Sequence, residues 1–243
     1  MMRLPALLVA GAVLCGLSPA PVQAASQKHG FLYPAYRDPE GTEHRFALFV
    51  PYAYNGEKPF PLIVFLHGSG EGGTNPRRPV GVGIGEAVRK QEKTFPFFVL
   101  FPQALDPDWE DRKDHERVIA ELDQVEKDYK VDTKRVYLTG LSSGGDGTWL
   151  IAEEYPDRWA AIFPICGEGD PANMPKLKNI PIWFFMGSAD DPHDVKTAHA
   201  QVAALKAEGA PLTYTEYPGM NHYIWNRTYD RQDLYDWLLK QHK

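Results

Sequence analysis

Cysteine is almost absent from this chain. It has two, Cys15 and Cys166. Cys15 falls in a segment expected to be removed, which leaves Cys166 alone and excludes an intrachain disulfide. Cys166 itself reads as a small buried hydrophobe. No cluster of Cys and His has zinc spacing, so no metal is expected, and nothing in the motifs asks for an organic cofactor. Lysine and arginine form no block, and the formal net charge is -6; a nucleic-acid partner is therefore not expected. Internal repeats and low-complexity tracts are also lacking. One long apolar run exists, Leu4 to Leu17, shorter than the ~20 residues of a membrane-spanning helix. Arg3 precedes it, Pro19 and Pro21 break it, and Val22-Gln23-Ala24 closes it. That is the pattern of a secretory signal peptide cut after Ala24. A lipoprotein would need a small residue before Cys15, where Leu14 stands. The expected organisation is a signal peptide over 1–24 and one domain over 25–243. The expected location is secreted or periplasmic, with no stable membrane association after cleavage.

What is present is an alternation of short apolar runs with helix-period segments. Hydrophobic residues make up 43% of the chain, enough for a real core. Phe46 to Val50, Leu62 to Leu66 and Phe97 to Phe101 read as strands. So do Val136 to Thr139, Ala160 to Ile165, Ile182 to Met186 and Leu212 to Tyr217. The run LIVFL at 62–66 is apolar throughout, as in a parallel sheet covered on both faces. Helices are expected over about Lys113 to Tyr129, Gly144 to Glu154, Val195 to Glu208 (stopped by Gly209) and Leu234 to Leu239. This alternation predicts an α/β fold with a doubly wound, mostly parallel sheet. Ligands bind such sheets at the carboxyl ends of the strands, so site residues should follow strands directly. The Gly-rich stretch 68–93 reads as a loop over the site. No insertion is long enough for a separate lid domain.

Four loops pass that test. The first holds Gly140-Leu141-Ser142-Ser143-Gly144, a G-x-S-x-G pattern between a predicted strand and a predicted helix. A serine on that sharp turn needs tiny neighbours, which Gly140 and Gly144 supply, and the helix behind it aims its positive end at a developing oxyanion. Only Ser142 fits the frame, because Ser143 would need glycine at 141. Directly after LIVFL comes His67-Gly68-Ser69-Gly70-Glu71. Its Ser69 N–H and the Ser143 N–H are the expected oxyanion donors, with His67 holding the loop. A serine also needs a base, and the base an orienting acid. Asp190 follows one late strand and His222 the last one. Asp191 and Asp194 compete with Asp190 for the acid. Among the other histidines, His115 and His199 fall on helices, where a surface position is expected. Trp109, Tyr223 and Trp225 fall in predicted loops and either stack on a substrate ring or pack in the core or rim.

The stretches PLIVFLHGSGEGG, RVYLTGLSSGGDGTW, PDRWAAIFPICGEGDP, YTEYPGMNH and LYDWLL together resemble a family of secreted bacterial α/β-hydrolases. It includes carboxylesterases, feruloyl-esterase-like enzymes, dienelactone-hydrolase relatives and proteins described as predicted peptidases. The resemblance runs from about Pro59 to Lys240. It implies an α/β-hydrolase fold with Ser142 as nucleophile, Asp190 as acid and His222 as base. The chain departs from the family pattern at Met186, where His is common, at Asp146, where Tyr or Met is usual, and in an acid loop that reads DDPHDV. The implied function is hydrolysis of small, aryl or carbohydrate-linked carboxylic esters through an acyl-enzyme. The expected partner is a small-molecule or polymer-attached ester. A serine peptidase on the same machinery and a non-catalytic binding protein of the same fold are the alternatives. Oligomeric state is left open.

Overall fold

The apolar runs become the strands of one eight-stranded sheet in the computed structural model, which describes residues 28–105 and 108–243. The expected signal peptide lies outside those residues. The sheet contains β1 (Gly30–Leu32), β4 (Ala47–Val50), β5 (Phe60–Leu66), β6 (Phe98–Phe101) and β7 (Val131–Leu141). It continues with β8 (Ala161–Ile165), β9 (Ile182–Gly187) and β10 (Leu212–Tyr217). Their order in space is β1-β4-β6-β5-β7-β8-β9-β10. From β6 to β10 every pairing is parallel, whereas β1 and β4 pair antiparallel at one edge. Two short strands, β2 (Ala35–Arg37) and β3 (Glu43–Arg45), form a separate hairpin. Neither β1 nor this hairpin is visible as an apolar run, because their side chains are half-buried or exposed.

The parallel centre explains the LIVFL run. Leu62, Ile63, Val64, Phe65 and Leu66 are all fully buried, each worth roughly 1.5–3 kcal/mol against exposure. The helices that cover the sheet are α1 (Ile84–Lys90), α2 (Arg112–Asp128), α3 (Ser143–Glu154), α4 (Pro192–Ala207), α5 (Trp225–Tyr229) and α6 (Gln232–Leu238). In α2 the carboxylate of Asp111 caps the start by accepting from Lys113 N, and Val118, Leu122 and Val125 form the buried stripe. α4 starts with Asp191 as its cap and Pro192 in its first turn, and Gly209 takes a positive φ just past its end. The stretch 68–93 is not all loop: two 3-10 turns and α1 lie within it.

Parallel pairing puts the ends of β5 to β10 on one rim. β4 runs the other way, with Ala47 opposite Phe101, so its start shares that rim. The β2–β3 hairpin, joined directly to the start of β4, therefore stands on the same side. Among the described residues no helix is long and apolar enough to cross a membrane.

Candidate active site

Ser142 sits where β7 turns into α3, with φ 55° and ψ -128°. A non-glycine residue in that region stores on the order of 1–3 kcal/mol of strain. The surroundings hold it there. Ser142 N donates to Ile165 O at 2.9 Å, and its carbonyl accepts from Gly145 N at 2.6 Å. A side chain at Gly140 would strike the Gly144 carbonyl, and one at Gly144 would strike the carbonyls of Leu66 and His67. Those two glycines let the start of α3 close onto both β7 and the loop after β5.

The acid and histidine loops are tied to each other at the edge of the sheet. Ser188 N donates to Tyr217 O, Ala189 N to Met220 O and Gly219 N to Ser188 Oγ. They bring His222 between two partners. Its Nε2 lies 2.8 Å from Ser142 Oγ, and its Nδ1 lies 2.8 Å from Asp190 Oδ2. With Nδ1–H donating to the carboxylate, Nε2 is left as an acceptor for the serine hydroxyl. Asp190 is 5% exposed at its side chain and His222 30%, so the acid is enclosed and the imidazole reaches solvent. Asp191 is occupied elsewhere: its Oδ1 accepts from His193 N as the cap of α4. Asp194 faces His193 and Glu168 instead.

Ser69 opens a 3-10 turn after β5, and Ser143 is the first residue of α3. The close packing of Gly144 on Leu66 and His67 sets these two segments side by side. His67 braces the loop from beneath. It is fully buried, its Nδ1 donates to Gly68 O at 2.8 Å, and its Nε2 accepts from Ala104 N at 3.1 Å. An acceptor at Nε2 assigns the neutral tautomer, and burial pushes the pKa down to about 4. Arg78 adds a second brace by donating to the carbonyls of Gly70 and Gly72.

The dienelactone hydrolase family model matches residues 89–236, more than half of the chain. The chain belongs to the dienelactone hydrolase family. A thermostable esterase of solved structure is 36% identical, with a TM-score of 0.78 over 88% of this chain and 63% of the other. The feruloyl esterase module from Clostridium thermocellum complexed with sinapinate shares the fold at 18% identity, with a TM-score of 0.65 over 88% of this chain and 91% of the other. The fold is thus that of the α/β-hydrolases, as the motifs imply. A bifunctional acetylxylan esterase/xylanase of Neocallimastix patriciarum is 30% identical over 135 residues, 54% of this chain and 19% of that protein. The chain spans less than half the length of the curated relatives it matches.

Within this family fold, the three aromatic candidates divide. Tyr223 is 71% exposed, and Trp225 stands beside it at 4.8 Å between ring centroids. Both rings meet the His222 ring nearly edge-on, at 6.1 and 5.7 Å. Trp225 lies on α5, where the sequence suggests a loop. Trp109 is a correction. It is 1% exposed, its Nε1 donates to His67 O, and its ring lies 4.9 Å from the His67 ring. An enclosed ring beneath the loop has no face to offer a substrate. His115 is a second correction: it is buried, held between Trp109 O and Glu154. His199 does lie on the surface, paired with Glu216.

Cys166 is a site neighbour the sequence does not flag. It has a positive φ of 51°, and its Sγ donates to His222 O at 3.3 Å. Burial and the nearby Asp190 push its pKa up, which keeps it a thiol. Asp146, in the first turn of α3, accepts from Glu168 N at 2.6 Å. Burial, with Glu168, Asp194 and Glu110 nearby, raises it to about 7. Cys166, Asp190 and His222 have ligand atoms within 4.8 Å of one another, as do Glu168, His193 and Asp194. The first set is engaged in the hydrogen bonds above. In the second, His193 Nδ1 lies 3.1 Å from Glu168 Oε1.

Proposed function

We propose that this chain is a carboxylic ester hydrolase that forms an acyl-enzyme on Ser142. The carrying observation is the continuous relay Ser142–His222–Asp190, two contacts of 2.8 Å at the carboxyl rim of the sheet. In the first step His222 Nε2 takes the Ser142 proton as Oγ bonds to the ester carbonyl carbon. Asp190 keeps the Nδ1 proton hydrogen-bonded and offsets the imidazolium charge. The N–H groups of Ser143 and Ser69 hold the oxyanion, a role in which each donor is worth ~10²–10³ in rate. The tetrahedral centre then collapses, and His222 returns the proton to the departing alcohol. Water repeats the sequence on the acyl-enzyme, releasing the acid and restoring Ser142. All the groups needed are side chains and backbone of this chain.

For substrate class, the support is the open aromatic pair Tyr223–Trp225 beside His222 and the named activities of the relatives. An acetylated carbohydrate or a feruloyl-type aryl ester fits both. Export through the segment 1–24 would deliver the enzyme to polymer-attached esters of this kind.

The test is a panel of acyl esters, beginning with p-nitrophenyl acetate and including a peptide anilide, run on the wild type and on Ser142→Ala. Ester turnover should fall by ~10⁴ or more in the variant, the scale seen when a hydrolase nucleophile is removed. A fluorophosphonate probe should label the wild type alone. Turnover unchanged in Ser142→Ala, or faster cleavage of the anilide than of any ester, would remove the proposal.

A further inference from the structure

A sizeable cavity lies away from Ser142. It lies further along the same rim, has a volume of about 570 Å³, and is bounded by the β2–β3 hairpin, Leu105 and the first turns of α2. A smaller one of about 180 Å³ adjoins it and shares His44 and Leu105. The smaller cavity is also lined by Gly73, Thr74 and Gln103. These residues belong to the oxyanion side of the site. Gly73 N donates to Ala104 O, and Gln103 Nε2 donates to Glu71 O at 2.6 Å. The two cavities therefore form a trough from the loop after β5, downstream of Ser69, past β6 to the hairpin at β4. Three strand spacings of ~4.8 Å separate its far end from β7, a reach of ~15 Å.

Three features say what would lie in it. Gln103 is 5% exposed, and its Oε1 has no hydrogen-bond partner; a buried amide oxygen left so calls for a donor. In the larger cavity carboxylates outnumber Lys and Arg five to two, which repels an anionic chain. Apart from Pro39, Leu105 and the Tyr36 ring, the walls are hydroxyl, imidazole, carboxylate, ammonium and guanidinium groups, so polar groups alternate with a few small apolar faces. A neutral polyhydroxylated chain satisfies all three: its hydroxyls donate to carboxylates, and its apolar faces rest on Tyr36 and Leu105.

We infer that this trough is a distal subsite for the carbohydrate chain that carries the ester, so that the enzyme works on acylated oligo- or polysaccharides. The inference rests on the ester-hydrolase reading above. It places the acyl group at Ser142 and the chain across the oxyanion-loop side toward the hairpin. The hairpin is held against α2: Gln124 donates to Ala35 O, and Arg117 approaches His44 Nδ1 at 3.3 Å.

The experiment compares kcat/KM for p-nitrophenyl acetate with that for acetylated xylo-oligosaccharides of increasing length. The wild type, Leu105→Arg and Thr42→Arg are used. Both positions are exposed and line the larger cavity, and neither belongs to the catalytic set. In the wild type kcat/KM should rise with chain length. In the variants the rise should disappear, with about a tenfold loss on the longest substrate, the size of one or two lost net hydrogen bonds. Turnover of p-nitrophenyl acetate should stay within about twofold, since the acyl site is intact. Absence of a length effect in the wild type would overturn the inference. So would equal losses on both substrates, or a length effect that survives both variants. Failure of the wild type on every ester would instead remove the underlying hydrolase reading.

Discussion

His67 carries no charge at neutral pH, because both ring nitrogens are spent on the loop and burial depresses its pKa to about 4. An unfolded histidine titrates near 6.5, so below that value the unfolded chain binds a proton the native one refuses. Stability from this group is whole above ~6.5 and is lost as pH falls toward ~4. Between pH 7 and 5 the loss should be about 2 kcal/mol. His67→Gln should unfold more easily at pH 7 yet lack that part of the acid slope, as urea titrations at the two pH values would read. A slope identical to wild type would refute the assignment. Asp146 works in the opposite sense. A carboxylate in the first turn of a helix gains ~0.3–1 kcal/mol from the helix dipole. Burial and the facing acids Glu168, Asp194 and Glu110 outweigh that and raise it to about 7. The native state keeps its proton after the unfolded chain has lost it near 3.8, so the penalty grows through that window and is complete above ~7. Asp146→Asn keeps an acceptor for Glu168 N and removes the charge. It should stabilise the protein by up to about 4 kcal/mol more at pH 8 than at pH 4. Equal shifts at both values would show that the carboxyl is not titrating in that range.

At the scale of single elements, α2 shows how an orderly sequence pattern can hide unusual content. Its apolar stripe at 118, 122 and 125 is legible because the spacing of three and four is a local property. The same buried face carries Asp114, His115, Arg117 and Glu121, and nothing local reveals that. His115 is buried because Trp109 and Glu154, from other segments, close around it. Trp109 is buried because the loop after β5 needs a donor for the His67 carbonyl. Glu121 is completely enclosed, and neither of its carboxyl oxygens has a hydrogen-bond partner. Burial raises its pKa well above the usual range, with Arg117 pulling the other way. Such a group is a burden to the fold unless its neighbours satisfy it. Arg117 retains its pairing with Asp114 when Glu121 is replaced. Glu121→Leu, of similar volume, should therefore raise the unfolding free energy by about 1–3 kcal/mol. Thermal and urea unfolding would read it, and destabilisation by a comparable amount would mean the carboxyl is satisfied in the native protein.

Taken as a whole molecule, the parallel sheet was legible in the sequence, and so was the rim on which chemistry should gather. Fully apolar runs mark strands covered on both faces, and Ser142, Asp190 and His222 each follow such a strand or the last one. The hairpin that borders the trough was not legible, because β2 and β3 are short, polar and paired only with each other. The same architecture divides the molecule in stability. Ser142 leaves β7, flanked by β5 and β8 and lined by Tyr137, Leu138 and Thr139, all fully buried. His222 leaves β10, an edge strand bonded to β9 alone, whose residues are mostly half-buried. Local opening follows buried apolar packing, so β10 should open at a lower free energy than β7. The loops after β9 and β10 are stitched together by Ser188, Ala189 and Gly219, and an opened β10 therefore loosens Asp190 along with His222. In rising urea, ester turnover should fail before the central sheet melts. Amides of 212–217 should exchange with an opening free energy at least ~2 kcal/mol below those of 136–140. Equal protection in the two strands, with activity lost only at the global transition, would mean that the edge of this sheet is locked as firmly as its centre.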